Sequence, residues 1–368
     1  MALAGNCRDP FIFETKIVQS WKEIMKLGLT GFTAASALLL SATTALAAGE
    51  LNIYNWGNYT SPEMIKKFEA KYDIKVTITD YDSNDTALAK VRAGGHGYDI
   101  AVPSGNYLPI YISEGLIIEA RPDRMENFKN MDPRWVDVPY DPGRRFSIPW
   151  QWGTFGVVVN TRVYKGDINT WGIVFDPPAE LQGKVNIVPE MNDMIYAAIK
   201  YVGGEMCTGD REVVKKARDV LVKAKPQWMS MEYNTIEPMV KGDFLATSDW
   251  NGSAFRQRLQ NPDLKYGYPK EGTVMWQDTV VILKDAKNVE NAKLFFNFMM
   301  DPESAGMLST FARYANGIMG SEKFMPADMI GAPELTIPDF LKDKTDFSLV
   351  CPPEVQELYT AVWTDLMK

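Results

Sequence analysis

An indole and a hydroxyl lie where this sequence predicts a ligand site. Trp56 ends the alternating run 51–56, and Ser104 follows the run 98–102. Both runs are typical of short strands. Ligands of open α/β sheets bind beyond the carboxyl ends of the strands, so we expect both side chains beside a ligand. The chain also contains ten tryptophans, which favours a binding site with aromatic walls.

The sequence lacks the residues that most catalytic and metal-binding sites need. The single histidine, His96, lies in the glycine-rich segment 94–97, which predicts an exposed turn rather than a member of a catalytic triad. A histidine-rich zinc site is excluded. The sequence has no G-x-G-x-x-G, Walker or C-x-x-C motif, so nothing indicates nucleotide or redox chemistry. We therefore expect no catalytic residue, no metal and no cofactor.

Two acids that are close in sequence raise the question of an enzyme. Glu190 and Asp193 could act as the carboxylate pair of a glycoside hydrolase. Acids three residues apart at the start of one helix rarely face a substrate from two sides, so we expect no enzyme. Iron capture would need adjacent tyrosine and acid ligands, and nothing in the sequence assembles them.

The charge balance bears on the partners. The formal net charge of the 368 residues is −8 at pH 7. This charge argues against nucleic acid as a partner, and it weakly favours cationic ligands.

Strands and helices alternate in the first part of the chain. Ser61 and Pro62 predict the start of a helix after the first strand, because serine is a favoured N-cap and proline fits the first turn. A strand over 74–78, a helix from about Asp85 and the strand 98–102 follow. This alternation is typical of a parallel sheet with helices on its faces.

The rest of the chain repeats the pattern. The elements predicted there are a strand at 185–188, a helix from Met194 to Val202, a helix after the N-cap Asp210, strands at 244–247 and 280–283, and a helix at 289–300. No linker separates two domains, which suggests two lobes joined by more than one chain crossing.

The N-terminal region has the layout of a secretory signal peptide. A basic residue, Lys26, precedes an apolar stretch of small residues, and Ala45–Ala47 gives an A-x-A cleavage site. A membrane-spanning helix is less favoured, because six Ser and Thr residues interrupt the stretch and no basic cluster follows it. We predict an exported, periplasmic protein. Cys207 and Cys351 could form a disulfide after export, but the sequence leaves their pairing open.

Several segments, in order across nearly all of the predicted mature chain, resemble one family. They are IYNWGNYTSPEMIKKFE (53–69), DSNDTALAKVRAG (82–94), GYDIAVPS (97–104), FSIPWQWGTFGVVVN (146–160), DWNGSAF (249–255), YPKEGTVMWQDTVVI (268–282) and YAN (314–316). Together they make the chain similar to the spermidine/putrescine-binding proteins of bacterial polyamine transporters.

The resemblance implies an α/β fold with two lobes, the type II periplasmic-binding-protein fold, with a ligand cleft between the lobes. It also implies a membrane-embedded ABC permease as partner, and we expect a monomer. The expected division is an N-terminal extension at 1–24, a signal peptide at 25–47, lobe 1 at 48–153 and 272–325, and lobe 2 at 154–271 and 326–368.

The resemblance also implies which residues bind a polyamine. These positions are Trp56, Tyr59, Ser104, Glu190, Asp193, Trp250, Trp276, Asp278 and Tyr314. Their chemistry is coherent, because carboxylates can neutralise ammonium groups while aromatic faces contact the methylene chain. Asp249 directly precedes Trp250, and on a strand it would face the other way.

The sequence departs from the family pattern at Gly57–Asn58 and Gly105–Asn106, so the resemblance does not fix the length of the ligand. One alternative ligand is a zwitterionic amine, such as an ω-amino acid or an opine-like conjugate. Such a ligand would need an arginine at one end of the site, and Arg256, Arg258 and Arg313 lie near the site segments.

Overall fold

The computed structural model describes residues 49–368. The segments predicted as an N-terminal extension (1–24) and a signal peptide (25–47) lie outside the described residues. Within 49–368, no helix combines the length and the apolar character that a membrane crossing requires.

Strands and helices alternate along most of the described chain. The strands are β1 (Gly49–Trp56), β2 (Ile74–Tyr81), β3 (Ile100–Ala101), β4 (Asp137–Val138), β5 (Asp141–Pro142), β6 (Ser147–Asn160), β7 (Val185–Ile187), β8 (Trp228–Met231), β9 (Ala246–Trp250), β10 (Leu264–Gly267), β11 (Thr273–Ile282) and β12 (Thr345–Phe347). The helices are α1 (Pro62–Tyr72), α2 (Asn84–Arg92), α3 (Leu108–Ser113), α4 (Gly172–Phe175), α5 (Met191–Tyr201), α6 (Arg211–Ala224), α7 (Ile236–Lys241), α8 (Asn251–Gln260), α9 (Val289–Met299), α10 (Pro302–Ala312) and α11 (Pro353–Met367).

The long path of strands through the molecule has the order β2-β1-β3-β11-β6-β9-β7-β8. β1 pairs in parallel with β2 and β3, and β7 pairs in parallel with β8 and β9. The two central strands, β6 and β11, are antiparallel to each other. The predicted parallel α/β arrangement is therefore confirmed on both sides of an antiparallel centre.

Two large apolar cores define the two lobes. One core contains Leu51, Phe68, Trp150 and Phe296. The other is built around Phe155, together with residues of α4, α5, α6 and α11. Each core lies under a parallel part of the sheet, where helices cover the strands and exclude water.

The strands β6 and β11 carry the chain from one lobe to the other. Along β6, Trp150 belongs to the first core and Phe155 to the second. Along β11, Val274 belongs to the second core and Trp276 to the first. The chain thus crosses more than once, as the missing linker suggested. The residue boundaries of the lobes remain a proposal.

Local signals fix several helix starts. The Ser61 side chain accepts a hydrogen bond from the Met64 amide at 3.3 Å, and Asp210 accepts one from the Glu212 amide at 2.9 Å. Both predicted N-caps are confirmed. Helix α2 begins at Asn84, one residue before the predicted start, because Ser83 serves as its N-cap.

Several predicted strands have different bounds in the structure. The strand predicted at 98–102 shortens to Ile100–Ala101, and the one predicted at 244–247 lies at Ala246–Trp250. The strand predicted at 280–283 begins earlier, at Thr273. Asp249 and Trp250 lie at the end of β9, where the sequence predicts the end of a strand.

A disulfide joins the two cysteines whose pairing the sequence left open. Cys207, in the loop after α5, is bonded to Cys351, just before α11. Helix α11 packs against the second core through Tyr359 and Val362. The bond therefore attaches the C-terminal helix to lobe 2.

Candidate functional site

One cavity of about 360 Å³ collects the side chains that the family resemblance singled out. All nine of them line it: Trp56, Tyr59, Ser104, Glu190, Asp193, Trp250, Trp276, Asp278 and Tyr314. They come from six separate parts of the chain and from both lobes. The folding of the chain thus brings together residues that are more than 250 positions apart.

Asp278 lies at an irregular point of β11. The pairing of β11 with β6 shifts register between Gln277 and Thr279, which interrupts the regular alternation of side chains at Asp278. The Ser104 hydroxyl donates to the Asp278 carboxylate at 2.7 Å, and the Asn84 side chain donates to that hydroxyl at 3.1 Å. One carboxylate is thereby fixed in the cavity wall.

Burial dominates the electrostatics of Asp278. Its side chain is 6% exposed, and loss of solvent raises the pKa of its carboxyl to about 7. The hydroxyl of Ser104 lowers this pKa again, but by less. A carboxylate in this position would gain from a positive charge placed beside it.

Glu190 and Asp193 lie at the N-terminus of α5. Glu190 occupies the N-cap position, but its side chain makes no capping bond. Instead it accepts a hydrogen bond from the Tyr233 hydroxyl at 3.2 Å, while Asp193 accepts one from the Trp250 indole at 3.0 Å. Both carboxyl groups therefore belong to the cavity rather than to the helix end.

Burial also raises the pKa values of these two acids. The pKa of Glu190 rises to about 8, first through loss of solvent and then through the negative charge of Asp193. The pKa of Asp193 rises to about 6 through loss of solvent. Together with Asp82 and Asp278, four carboxylates line the cavity. The cavity is thus suited to a cationic ligand.

Aromatic rings form much of the remaining wall. The Trp56 indole donates to the Val102 carbonyl at 3.0 Å, and the Tyr81 hydroxyl donates to the same oxygen. Trp250 stacks on Tyr233, with ring centroids 6.3 Å apart and 13° between the planes. These contacts fix two indoles in the wall.

A second aromatic group contains Trp276, Tyr314 and Tyr59. The rings of Trp276 and Tyr314 meet edge to face at 5.1 Å, and Tyr314 meets Tyr59 at 5.7 Å. Gly252 permits this packing, because a Cβ atom at that position would overlap the Tyr314 ring.

Further residues line the cavity, and among them only Arg256 was predicted from the sequence as a possible ligand contact. They are Gly57, Asn58, Tyr81, Asp82, Asn84, Asn106, Asn192, Tyr233, Asn234, Thr235, Ile236, Ser253, Arg256 and Ser348. Tyr81 ends β2, so its position at a strand end would have predicted it if the strand had been predicted to its full length. The loop residues around Tyr233 carry no comparable sequence signal.

Asp249 does not line the cavity, although it directly precedes Trp250. Its carboxylate is buried and accepts hydrogen bonds from Thr235 at 2.6 Å and from Gln257 at 2.7 Å. The expectation from strand alternation is confirmed: Asp249 faces away from the site.

The three arginines near the site segments behave differently. Arg258 pairs with Glu334, and Arg313 pairs with Asp328. Arg256 alone of the three lines the cavity. Within residues 49–368 no group of three or more His, Cys, Asp or Glu side chains could hold a metal ion.

Comparison with known proteins shows the family to which the chain belongs. Residues 63–330 match the family described as bacterial extracellular solute-binding proteins. The chain belongs to this family. It is a periplasmic solute-binding protein with the two-lobed type II fold, and the family consists of binding proteins rather than enzymes.

Several relatives of this solute-binding protein are named after spermidine and putrescine. The spermidine/putrescine-binding periplasmic protein of Escherichia coli is 29% identical over 89% of this chain and 90% of its own length. The spermidine/putrescine-binding periplasmic protein 1 of Haemophilus influenzae is 29% identical over 79% of this chain and 82% of its own. A solved structure from Listeria monocytogenes, assigned to a spermidine/putrescine ABC transporter, has a TM-score of 0.81 at 28% identity, covering 86% of this chain and 98% of that one.

Proposed function

We propose that this protein captures a polyamine, spermidine or putrescine, and presents it to the membrane-embedded permease of an ABC uptake transporter. The observation that carries the proposal is the cavity in which carboxylates and indoles lie together. The names of the relatives support the same ligand class. We expect the protein to act as a monomer.

The chemistry of the cavity suits such a ligand. An ammonium group brings about three donors and needs acceptors when it leaves water. Asp278, Glu190 and Asp193 offer carboxylate oxygens, and each charge-assisted hydrogen bond contributes about 1.5–3 kcal/mol. Indole and phenol faces add about 0.5–2 kcal/mol for each cation–π contact. Two charged ends and a stacked middle can exceed the ~8 kcal/mol that micromolar affinity requires.

A ligand panel tests the proposal. Putrescine and spermidine should raise the melting temperature of the protein and give saturable heats in calorimetric titration. Both binding effects follow from mass action on the folded state. A neutral diol of similar length, such as 1,4-butanediol, is the control, and it should give neither effect. Equal responses to the diol and the diamine would contradict the proposal.

Polyamine affinity should rise with pH. In the ligand-free cavity the pKa of Asp278 is about 7 and that of Glu190 about 8, so both carboxyls are largely protonated at pH 6. Polyamine amines stay charged in this range, since a primary amine titrates near about 10. Binding must therefore expel protons from the acids. We expect affinity at about pH 6 to be at least about tenfold weaker than at about pH 8.

Calorimetry in two buffers with different ionisation enthalpies checks this expectation, because the observed heat then depends on the number of protons released. An affinity that stays constant from acid to mildly alkaline pH, with no buffer dependence, would show that the acids do not contact the ammonium groups.

A further inference from the structure

Arg256 introduces a positive charge into an otherwise acidic cavity. It lies on α8, six residues after Trp250, and its side chain is half buried. Its guanidinium donates to the Asn58 carbonyl at 3.4 Å and lies 5.8 Å from the ring centroid of Phe311. In the described part of the chain, no carboxylate lies within ion-pair distance of it.

The neighbouring arginines each have a carboxylate as counter-ion, which Arg256 lacks. Arg258 has Glu334 as its partner, and Arg313 has Asp328 at 2.8 Å. Charged groups that leave water are normally paired, because the loss of solvation is otherwise uncompensated. Arg256 has one long bond to a carbonyl in place of a counter-ion.

The acids that line the cavity do not supply a counter-ion for Arg256 in the described chain. Burial lowers the pKa of Arg256, and the groups that oppose this effect are Tyr314 and Asp249. Neither is one of the cavity carboxylates. One oxygen of Asp249 accepts hydrogen bonds from Thr235 and Gln257, and the other accepts one from the Trp250 amide. The cavity therefore contains four carboxylates, of Asp82, Glu190, Asp193 and Asp278, and one arginine that forms an ion pair with none of them.

We propose that Arg256 is a specificity-determining residue that binds a carboxylate on the ligand. The ligand class is then a polyamine with a carboxylate at one end, its ammonium groups lying against the acids. This inference rests on the proposed capture of an amine and changes one end group: the preferred ligand carries a carboxylate where spermidine carries a terminal ammonium group. A guanidinium binds a carboxylate through two parallel N–H donors, whereas it repels an ammonium group.

Two ligands of nearly equal length isolate this effect. Spermidine ends in an aminopropyl group, and N-(4-aminobutyl)-β-alanine keeps its aminobutyl half but ends in a carboxylate. The wild-type protein should bind the carboxylated amine more tightly. In Arg256→Gln the ratio of the two affinities should fall at least about tenfold, because a charge-assisted pair is lost with one ligand and a repulsion with the other. Calorimetric titration of both ligands measures the ratio.

Two further variants separate specificity from structure. Arg256→Lys keeps the charge and should retain most of the preference. Arg162→Gln removes one charge from an exposed surface position, 79% exposed, and should leave the ratio unchanged. Melting temperatures of all variants check that they fold.

The outcomes are distinct. Equal loss of affinity for both ligands in Arg256→Gln would overturn the inference, since Arg256 would then only hold the cavity together. Binding of spermidine without binding of the carboxylated amine would also overturn it, while the proposed function would stand. If neither amine bound, both proposals would fail.

Discussion

Replacing Asp278 by asparagine is expected to weaken binding of spermidine or putrescine by more than about tenfold. The carboxylate is buried and held by Ser104, so an ammonium group that binds beside it leaves most of its water and depends on this countercharge. Asparagine keeps the shape and can still accept the Ser104 hydrogen bond. The loss should therefore reflect charge alone, and calorimetric titration at about pH 8 measures it.

Stability of the ligand-free protein supplies the control. Folding raises the pKa of Asp278 from 3.8 to about 7, so the folded state favours the protonated form. The contribution of this carboxyl to the free energy of unfolding is greatest below pH 3.8. This contribution is lost as the pH rises through about 7. A neutral asparagine escapes this loss, and Asp278→Asn should melt no lower than the wild type at about pH 8. A lower melting temperature with unchanged affinity would assign Asp278 a structural role instead.

Removing the disulfide is expected to cost about 2–4 kcal/mol of unfolding free energy. The bond joins cysteines separated by 144 positions, and the loop that it closes restricts the unfolded chain strongly. A double variant, Cys207→Ala with Cys351→Ala, should show the loss in chemical denaturation. Neither cysteine lines the cavity, so ligand affinity should stay the same.

The wild-type protein under reducing conditions is the matched comparison for this variant. Both samples lack the bond but differ in side chains, so similar denaturation midpoints would assign the effect to the covalent link. A variant as stable as the oxidised wild type would show that the packing of α11 alone holds the C-terminus in place.

Local sequence patterns predicted the lobes better than the strands that join them. The caps Ser61 and Asp210 are local signals, and both were predicted correctly. The crossing strand β6 was not predicted, because it is buried along nearly its whole length and therefore lacks alternation. Pro149 and Gly153 within it also resemble strand breakers.

The site residues also lie where local sequence patterns predict poorly. β11 was predicted only at its apolar end, because Gln277, Asp278 and Thr279 interrupt the hydrophobic pattern where the strand passes the cavity. Functional positions often break local rules in this way. Strand ends alone pointed to Trp56 and Ser104, and the full set of nine predicted site residues came from the family resemblance, since no periodicity relates Ser104 to Asp278. Arg256 was one of three possible arginines, and only the fold distinguishes it from the two that are paired.

The carbonyl of Val102 holds two aromatic side chains of the cavity wall in fixed positions. Trp56 and Tyr81, on adjacent strands, both donate to this one oxygen. Their rings are therefore held in position before any solute arrives. A flexible aliphatic chain meets a surface that need not rearrange, so the entropic penalty of association falls mainly on the solute. Longer chains lose more rotational freedom on that surface, which gives the protein a means of discriminating between amines that carry identical end groups.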